Sequence, residues 1–185
     1  MEANKGFFER GCDIIPLFNE SDANTDITGD WVKLRDYGRV GVLLAKYGTE
    51  DVDDLGLQFL QATAAAGTGS KALNFPANGR IWYKTGTLTS QTVWVAVTAS
   101  TSTIDGIAFG ASVPTGFTRC VADVNTDALL LYAEFETTVL DVDGGFDWFT
   151  AFIEGDNVNN TVLLSAWAIL MDNRFPQNVP LSAIS

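Results

Sequence analysis

The chain has 185 residues, of which 46% are apolar and only 18% charged, a composition that excludes global disorder and suits one domain with a substantial core. Its 23 acidic and 11 basic residues leave a net charge of −12, so the averaged surface repels nucleic acid and anionic membrane. No stretch approaches the ~18 uninterrupted apolar residues of a membrane span, and the opening from Met1 to Arg10 lacks the basic-then-apolar order of a signal peptide; the expectation is a chain folded in a cytosol, with neither nucleic acid nor membrane as partner.

Residues 1–28 read as an extended N-terminal arm, with residues 29–185 as a single β-sandwich domain. The arm carries two apolar clusters, Phe7-Phe8 and Ile14-Ile15-Pro16-Leu17-Phe18, followed by a polar run from Asn19 to Asp30 without periodicity. Phe7, Phe8, Ile14, Ile15, Leu17 and Phe18 are therefore its anchor residues, packing either on their own domain or on a neighbouring subunit.

From Trp31 the texture changes to short β-type segments bounded by Gly, Asn, Asp and Pro. The predicted strands in chain order begin with 31–34 and 39–47, the latter placing Val40, Val42 and Leu44 on one face and Leu43 and Ala45 on the other. Next come 54–62, alternating around Leu55, Leu57 and Phe59, then 80–85, and 92–98, whose T-V-W-V-A-V-T run is apolar on both faces and reads as a central strand. Segments 103–111, a short piece near 118–121, 128–136, 146–154 and 161–171 complete about eight to ten strands. For the last, a buried helix competes on composition, but its short length and the preceding Asn159-Asn160 favour a strand. All five prolines fall between these predicted runs, where a missing backbone donor harms no ladder. The fold class is mainly β: an antiparallel β-sandwich or jelly-roll-like barrel with an extended N-terminal arm.

Chemistry is harder to assemble. The sequence contains no histidine, which removes the commonest general base near neutral pH, Ser-His and Cys-His nucleophilic pairs and most catalytic zinc designs. Paired carboxylates for glycoside hydrolysis remain conceivable, but nothing in the spacing fixes such a pair, so the chain reads as a non-enzyme. Cys12 and Cys120 read as reduced packing residues, with a disulfide pinning the N-terminal segment as the alternative. Gly67-Thr68-Gly69-Ser70-Lys71-Ala72 has the outline of a dinucleotide or phosphate loop, yet Asn74 and Pro76 end any helix that should follow and no βαβ pattern surrounds it. It reads as a β-loop. Asp141, Asp143 and Asp147 around Gly144-Gly145 have the outline of a calcium loop, but Phe152 stands where the calcium-hand pattern places a glutamate, so a turn is preferred. No cofactor and no metal are expected.

Of the five tryptophans, most should pack in the core. Trp82-Tyr83 and Trp148-Phe149 are neighbours that point to opposite sheet faces, so one member of each pair faces away from a single core. Trp82 and Trp148 are accordingly taken as interface candidates.

Two longer stretches carry a more specific likeness. Gly29-Asp30-Trp31-Val32-Lys33-Leu34-Arg35-Asp36-Tyr37-Gly38-Arg39-Val40 and Leu140-Asp141-Val142-Asp143-Gly144-Gly145-Phe146-Asp147, with Gln61-Ala62 and the run from Ala65 to Leu73, resemble small virion proteins encoded near the capsid genes of tailed bacteriophages. The resemblance spans roughly residues 14–175 and its motifs are structural punctuation without a catalytic signature. It implies a cement or decoration protein on the capsid exterior, binding the major capsid protein of an assembled shell, often as a homotrimer over a local threefold axis. A head-tail or tail virion component is the alternative within virions, and a carbohydrate-binding β-sandwich module with exposed tryptophans the alternative outside them.

Overall fold

The computed structural model of the protein describes residues 12–22, 25–47, 52–73, 80–85, 94–97, 103–104, 107–109, 120–124, 129–154 and 163–173. In chain order the strands are β1 (Asp13–Asp22), β2 (Ile27–Thr28), β3 (Val32–Lys33), β4 (Tyr37–Tyr47), β5 (Val52–Ala62), β6 (Lys71–Ala72) and β7 (Arg80–Thr85). They continue with β8 (Val95–Val97), β9 (Thr103–Ile104), β10 (Ile107–Phe109), β11 (Cys120–Val124), β12 (Leu129–Glu136), β13 (Trp148–Glu154) and β14 (Leu163–Asn173). A 3-10 turn, Thr137–Val139, follows β12. Among the described residues no helix is long and apolar enough to cross a membrane.

All strand pairs are antiparallel. One sheet has six strands in the order β1-β14-β4-β12-β7-β8; the other follows β2-β13-β5-β11-β10-β9, with β3 also on β13 and β6 also on β5. The orders β1-β14-β4-β12 and β2-β13-β5-β11 are the two sheets of a jelly roll, in which successive strands alternate between the layers in two Greek keys. Between β5 and β11 the chain adds β7 and β8 to the first sheet beyond β12, and β10 and β9 to the second beyond β11. The sandwich is thereby widened at the same side in both layers.

Alternation decides which side chains meet between the layers. Along β12 the burial pattern is strictly two-fold, with Leu129, Leu131, Ala133 and Phe135 in the core and the intervening residues outside. From the opposite layer Phe59 and Phe149 close on Phe135, with ring centroids 5.6 and 5.4 Å from it. Tilted and edge-on contacts of this kind fill the space between the sheets. Val40, Val42 and Leu44 of β4 point into the same core, as their spacing requires. Lys46 has the same parity and is fully buried beside them, opposite Leu129 and Leu164 in register.

The sequence expectations fare unevenly. The predicted strands 39–47, 54–62, 80–85, 128–136, 146–154 and 161–171 are observed within about two residues at each end, a shift typical of strand boundaries. Segment 161–171 is a strand. Segment 103–111 instead contributes two short strands, β9 and β10, that pair with each other. The segment at 92–98 is corrected more sharply: its described part, β8, ends the six-stranded order and pairs with β7. Centrality follows ladder length, and β4, paired along most of its length on both sides, holds that position.

Of the expected arm, residues 1–11 lie outside the described residues. Residues 13–22 form β1, an edge strand paired with β14 of the same sheet, so the expected boundary at residue 28 falls inside the sandwich. Leu17 and Phe18 are buried in this chain's own core, and the Leu17 carbonyl accepts a hydrogen bond of 2.8 Å from the Asp30 amide. A further tie runs from the Ser165 hydroxyl to the Asn19 side chain at 3.0 Å.

Candidate interaction surface

The outer face of the six-stranded sheet collects the residues that alternation turns away from the core. Cross-strand register aligns Pro16 with Trp167, Trp167 with Leu43, Leu43 with Tyr132, and Tyr132 with Trp82. One apolar row thus crosses five adjacent strands. A second row beside it runs from Ile14 through Ile169 and Gly41 to Glu134. Ile14 is 44% exposed, Tyr47 45% and Trp94 38%, while Leu43, Trp82, Tyr132, Trp167 and Ile169 are half-buried by one another. Aromatic residues, Met and Arg are the types enriched where proteins meet, and Met171 and Arg39 continue the face beyond Ile169 and Gly41.

The middle of this face is set by Gly41. A Cβ there would fall on the Tyr132 hydroxyl and ring, so glycine allows Tyr132 to lie flat across β4. In that position the Tyr132 ring stacks on Trp82, with centroids 5.6 Å apart and planes 28° from parallel. Its hydroxyl donates to Glu134 Oε2 at 3.0 Å. Burial, reinforced by the adjacent Glu134 charge, raises the Tyr132 pKa well above the ordinary phenol value, so the hydroxyl remains a donor at neutral pH. Arg39 completes the cluster, its guanidinium 3.1 Å from Glu134 Oε1 and 3.4 Å from an Asp172 carboxylate oxygen. The face has an apolar body with an acidic polar corner, in which one guanidinium serves two carboxylates and the exposed Glu136 lies opposite Arg39.

The expected interface residues separate into distinct places. Ile14 and Trp82 lie on this face, near its two sides. Ile15 turns inward and packs against the core. Leu17 and Phe18 are not interface residues, because their side chains are consumed by the core of their own chain. Trp148 faces outward, as its neighbour Phe149 is fully buried, but it does so on the other sheet, where the Lys33 amine lies 5.8 Å from its ring. Phe7 and Phe8 lie outside the described residues. Missed from the sequence were Leu43, Tyr132, Trp167 and Ile169, although the odd-numbered apolar residues of 39–47 were a usable signal that both faces of that strand avoid water.

Comparison with protein-family models, with curated proteins and with solved structures finds no match.

The two loops with ligand-loop outlines are tied to each other through Lys71 and Asp141. The Gly67–Ser70 segment is a turn in which Gly67 and Gly69 adopt φ of +73° and +64°. Its Thr68 carbonyl accepts from both the amide and hydroxyl of Thr63, and Trp31 packs so closely on Gly67 that a Cβ would meet its indole. No helix follows to present amides to a phosphate; β6 does. In the 141–147 loop, Asp141 accepts from Lys71 Nζ at 2.5 Å and from the Gly144 amide at 3.0 Å, while Lys33 lies 3.6 Å from Asp147. The Lys71 amine also sits 3.9 Å from the Phe146 ring centroid. Two of the three carboxylates of the supposed calcium loop therefore have lysine partners, and no group of three metal-ligating side chains occurs among the described residues.

Proposed function

We propose that this chain is a structural protein of a bacteriophage virion, a cement that binds and stabilises an assembled capsid as a homo-oligomer, with the trimer as its expected form. The observation that carries the proposal is the apolar row from Pro16 to Trp82, a surface built for other protein and backed by a rigid two-layer body. A jelly roll is a scaffold used in capsid and lectin proteins alike, and fold alone assigns no role. The likeness of residues 29–40 and 140–147 to small virion proteins encoded near capsid genes favours the capsid reading. Repetition of modest contacts over a symmetric shell supplies avidity, and only shells with the right subunit spacing engage all contacts together. A net charge of −12 suits a protein that stays outside a DNA-filled container.

The test is co-sedimentation of the purified protein with expanded and unexpanded shells of the phage that encodes it. Saturable occupancy of expanded shells, at a fixed number of copies per capsomer, is the expected result, together with a higher rupture temperature of the coated shells. Absence of binding to expanded shells overturns the proposal. Rings of six or twelve copies in negative stain would transfer the protein to the head-tail junction. Glycan binding abolished by Trp94→Ala would favour the carbohydrate module, since Trp94 is exposed and Lys84 lies 5.2 Å from its ring.

A further inference from the structure

We propose, on the reading of this chain as a capsid cement, that the outer face of the six-stranded sheet receives a basic segment of the shell protein. In that segment an arginine lies a few residues from an apolar anchor.

The apolar row and the acidic corner are too close to be covered separately. Glu134 and Glu136 follow Tyr132 on the same face of β12, which places them about 7 and about 14 Å from the row. A stable protein contact claims on the order of 800 Å² on each side, a patch about 30 Å across. Any partner wide enough to bury Leu43, Trp167 and the Trp82–Tyr132 stack therefore reaches Glu134 and comes up to Glu136 and Asp172 as well.

Charge states what that partner must bring. Glu136 is exposed and has no ion pair among the described residues. Arg39 divides its guanidinium between Glu134 and Asp172, and the Asp172 side chain stays 62% exposed. Register adds Arg80, opposite Glu134 on β7, so the carboxylates of this corner outnumber its guanidiniums. At the start of β4, burial and then the charges of Asp13 and Asp36 raise the Tyr37 pKa, a sign of negative potential at the same end of the sheet. Lys84 stands away from the corner, against the Trp94 ring. An uncharged cover would strip water from Glu136 and Asp172 without replacing it, a cost that works against binding. A cationic cover supplies the donors that the corner lacks.

Gly41 makes arginine the better cation. Because the Tyr132 ring lies on Gly41, its other face is turned outward, beside the carboxylate that its own hydroxyl contacts. A guanidinium laid on that ring meets the negative face of the π system and presents its donors in one plane to the neighbouring carboxylates, which a compact ammonium does not do. In an extended segment the separation from the row corresponds to about two to four residues, which sets the spacing between the arginine and the side chain seated on Leu43 and Trp167. Strand addition is not the route at the β1 edge. Pro16 has no amide hydrogen, and the register with β14 shifts twice, devices that stop an edge strand from templating another. Recognition runs through the side chains of the face.

The test uses the purified full chain and two ligands in parallel. One is the expanded shell of the encoding phage; the other is a pair of peptides of about twelve residues, alternating leucine with arginine or leucine with glutamate in extended spacing. Co-sedimentation follows the shells and tryptophan fluorescence the peptides. At low salt the arginine peptide should bind at least about tenfold more tightly than the glutamate peptide. Glu136→Lys should weaken the arginine peptide and the shells alike by about five- to tenfold. Asp30→Lys, an equal change of net charge at an exposed site beside the second sheet, should leave both within about twofold. Raising NaCl from about 50 to about 500 mM should weaken both ligands and erase the effect of Glu136→Lys. Equal losses for the two variants would mean that net charge alone attracts the partner, and would overturn the inference. So would an arginine peptide that fails to bind, or binding that strengthens with salt. Shells coated equally by the wild type and Glu136→Lys would sink this inference and spare the cement function; an arginine peptide held through Glu136 by a chain that ignores shells would do the reverse.

Discussion

The two faces of the six-stranded sheet are made of similar residues in different surroundings. On the inner face Val40, Val42 and Leu44 have no exposure at all, because Phe59 and Phe149 of the opposing sheet close over that layer. One residue along, Leu43 belongs to a half-buried row of similar apolar character, over which no second sheet lies among the described residues. Apolar content therefore does not decide what is core. The presence of a second layer does, and a two-sided apolar strand such as β4 requires a layer on each side.

This contrast is broken most directly by matched truncations. Phe149→Ala removes a side chain that touches both Phe59 and Phe135, and should cost about 3–5 kcal/mol in urea or thermal unfolding. Ile169→Ser on the outer face should alter the stability of the dilute chain by less than about 1 kcal/mol while weakening association. Equal losses at the two positions would mean that the outer face is already sealed within one copy.

The N-terminal strand sharpens the same comparison within a single element. Leu17 is 2% exposed and Ile14 44%, although they lie three residues apart in β1. Leu17→Ala should destabilise the fold by about 2–4 kcal/mol, whereas Ile14→Ala should stay within about 0.5 kcal/mol. A Leu17→Ala protein of wild-type stability would restore residues 13–22 to the status of an arm that only rests on the domain.

How these features were written in the sequence also differs between regions. In β12 the two-fold alternation is unbroken, and in β7 and β13 the neighbours Trp82-Tyr83 and Trp148-Phe149 split between a half-buried and a buried position, so the outward setting of Trp82 and Trp148 could be read from spacing. In β1 the alternation is broken, because the register shift between Pro16 and Phe18 turns both Leu17 and Phe18 inward and destroys the period of two on which strand recognition depends. An edge strand with a proline and a bulge looks like irregular chain until its partner is known. Lys46 was obscured in another way: its parity with Leu44 places it inside, against the ordinary preference of lysine for water. The outer row was half legible, since Leu43 and Ala45 were visible on the second face of their strand, but alignment with Tyr132 and Trp167 depends on pairings between residues about 90 to 125 positions apart in sequence, which only sheet topology supplies.

The smallest expected effect lies in the loops joining β5 to β6 and β12 to β13, where charge rather than apolar surface makes the contact. The hydrogen bond from Lys71, supported by the Gly144 amide, holds the Asp141 carboxyl below its ordinary value of 3.8. A carboxyl with a depressed folded-state pKa stabilises the fold above its unfolded value, and the contribution is lost as pH falls through the folded value. The Lys71–Asp141 contact should thus stay intact from neutral pH through the ordinary carboxylate range and be released only in stronger acid, as the pH falls through the depressed Asp141 value. Both side chains are well exposed, so solvent screening keeps the global consequence small. Hydrogen exchange of the Gly144 amide is the sensitive readout: its protection should fall in acid in the native protein, and Asp141→Asn should remove that pH dependence while leaving the unfolding midpoint at neutral pH nearly unchanged. A pH-independent Gly144 amide in the native protein would mean that the loop is held by its backbone turn alone, leaving the apolar layers as the main source of order in the molecule.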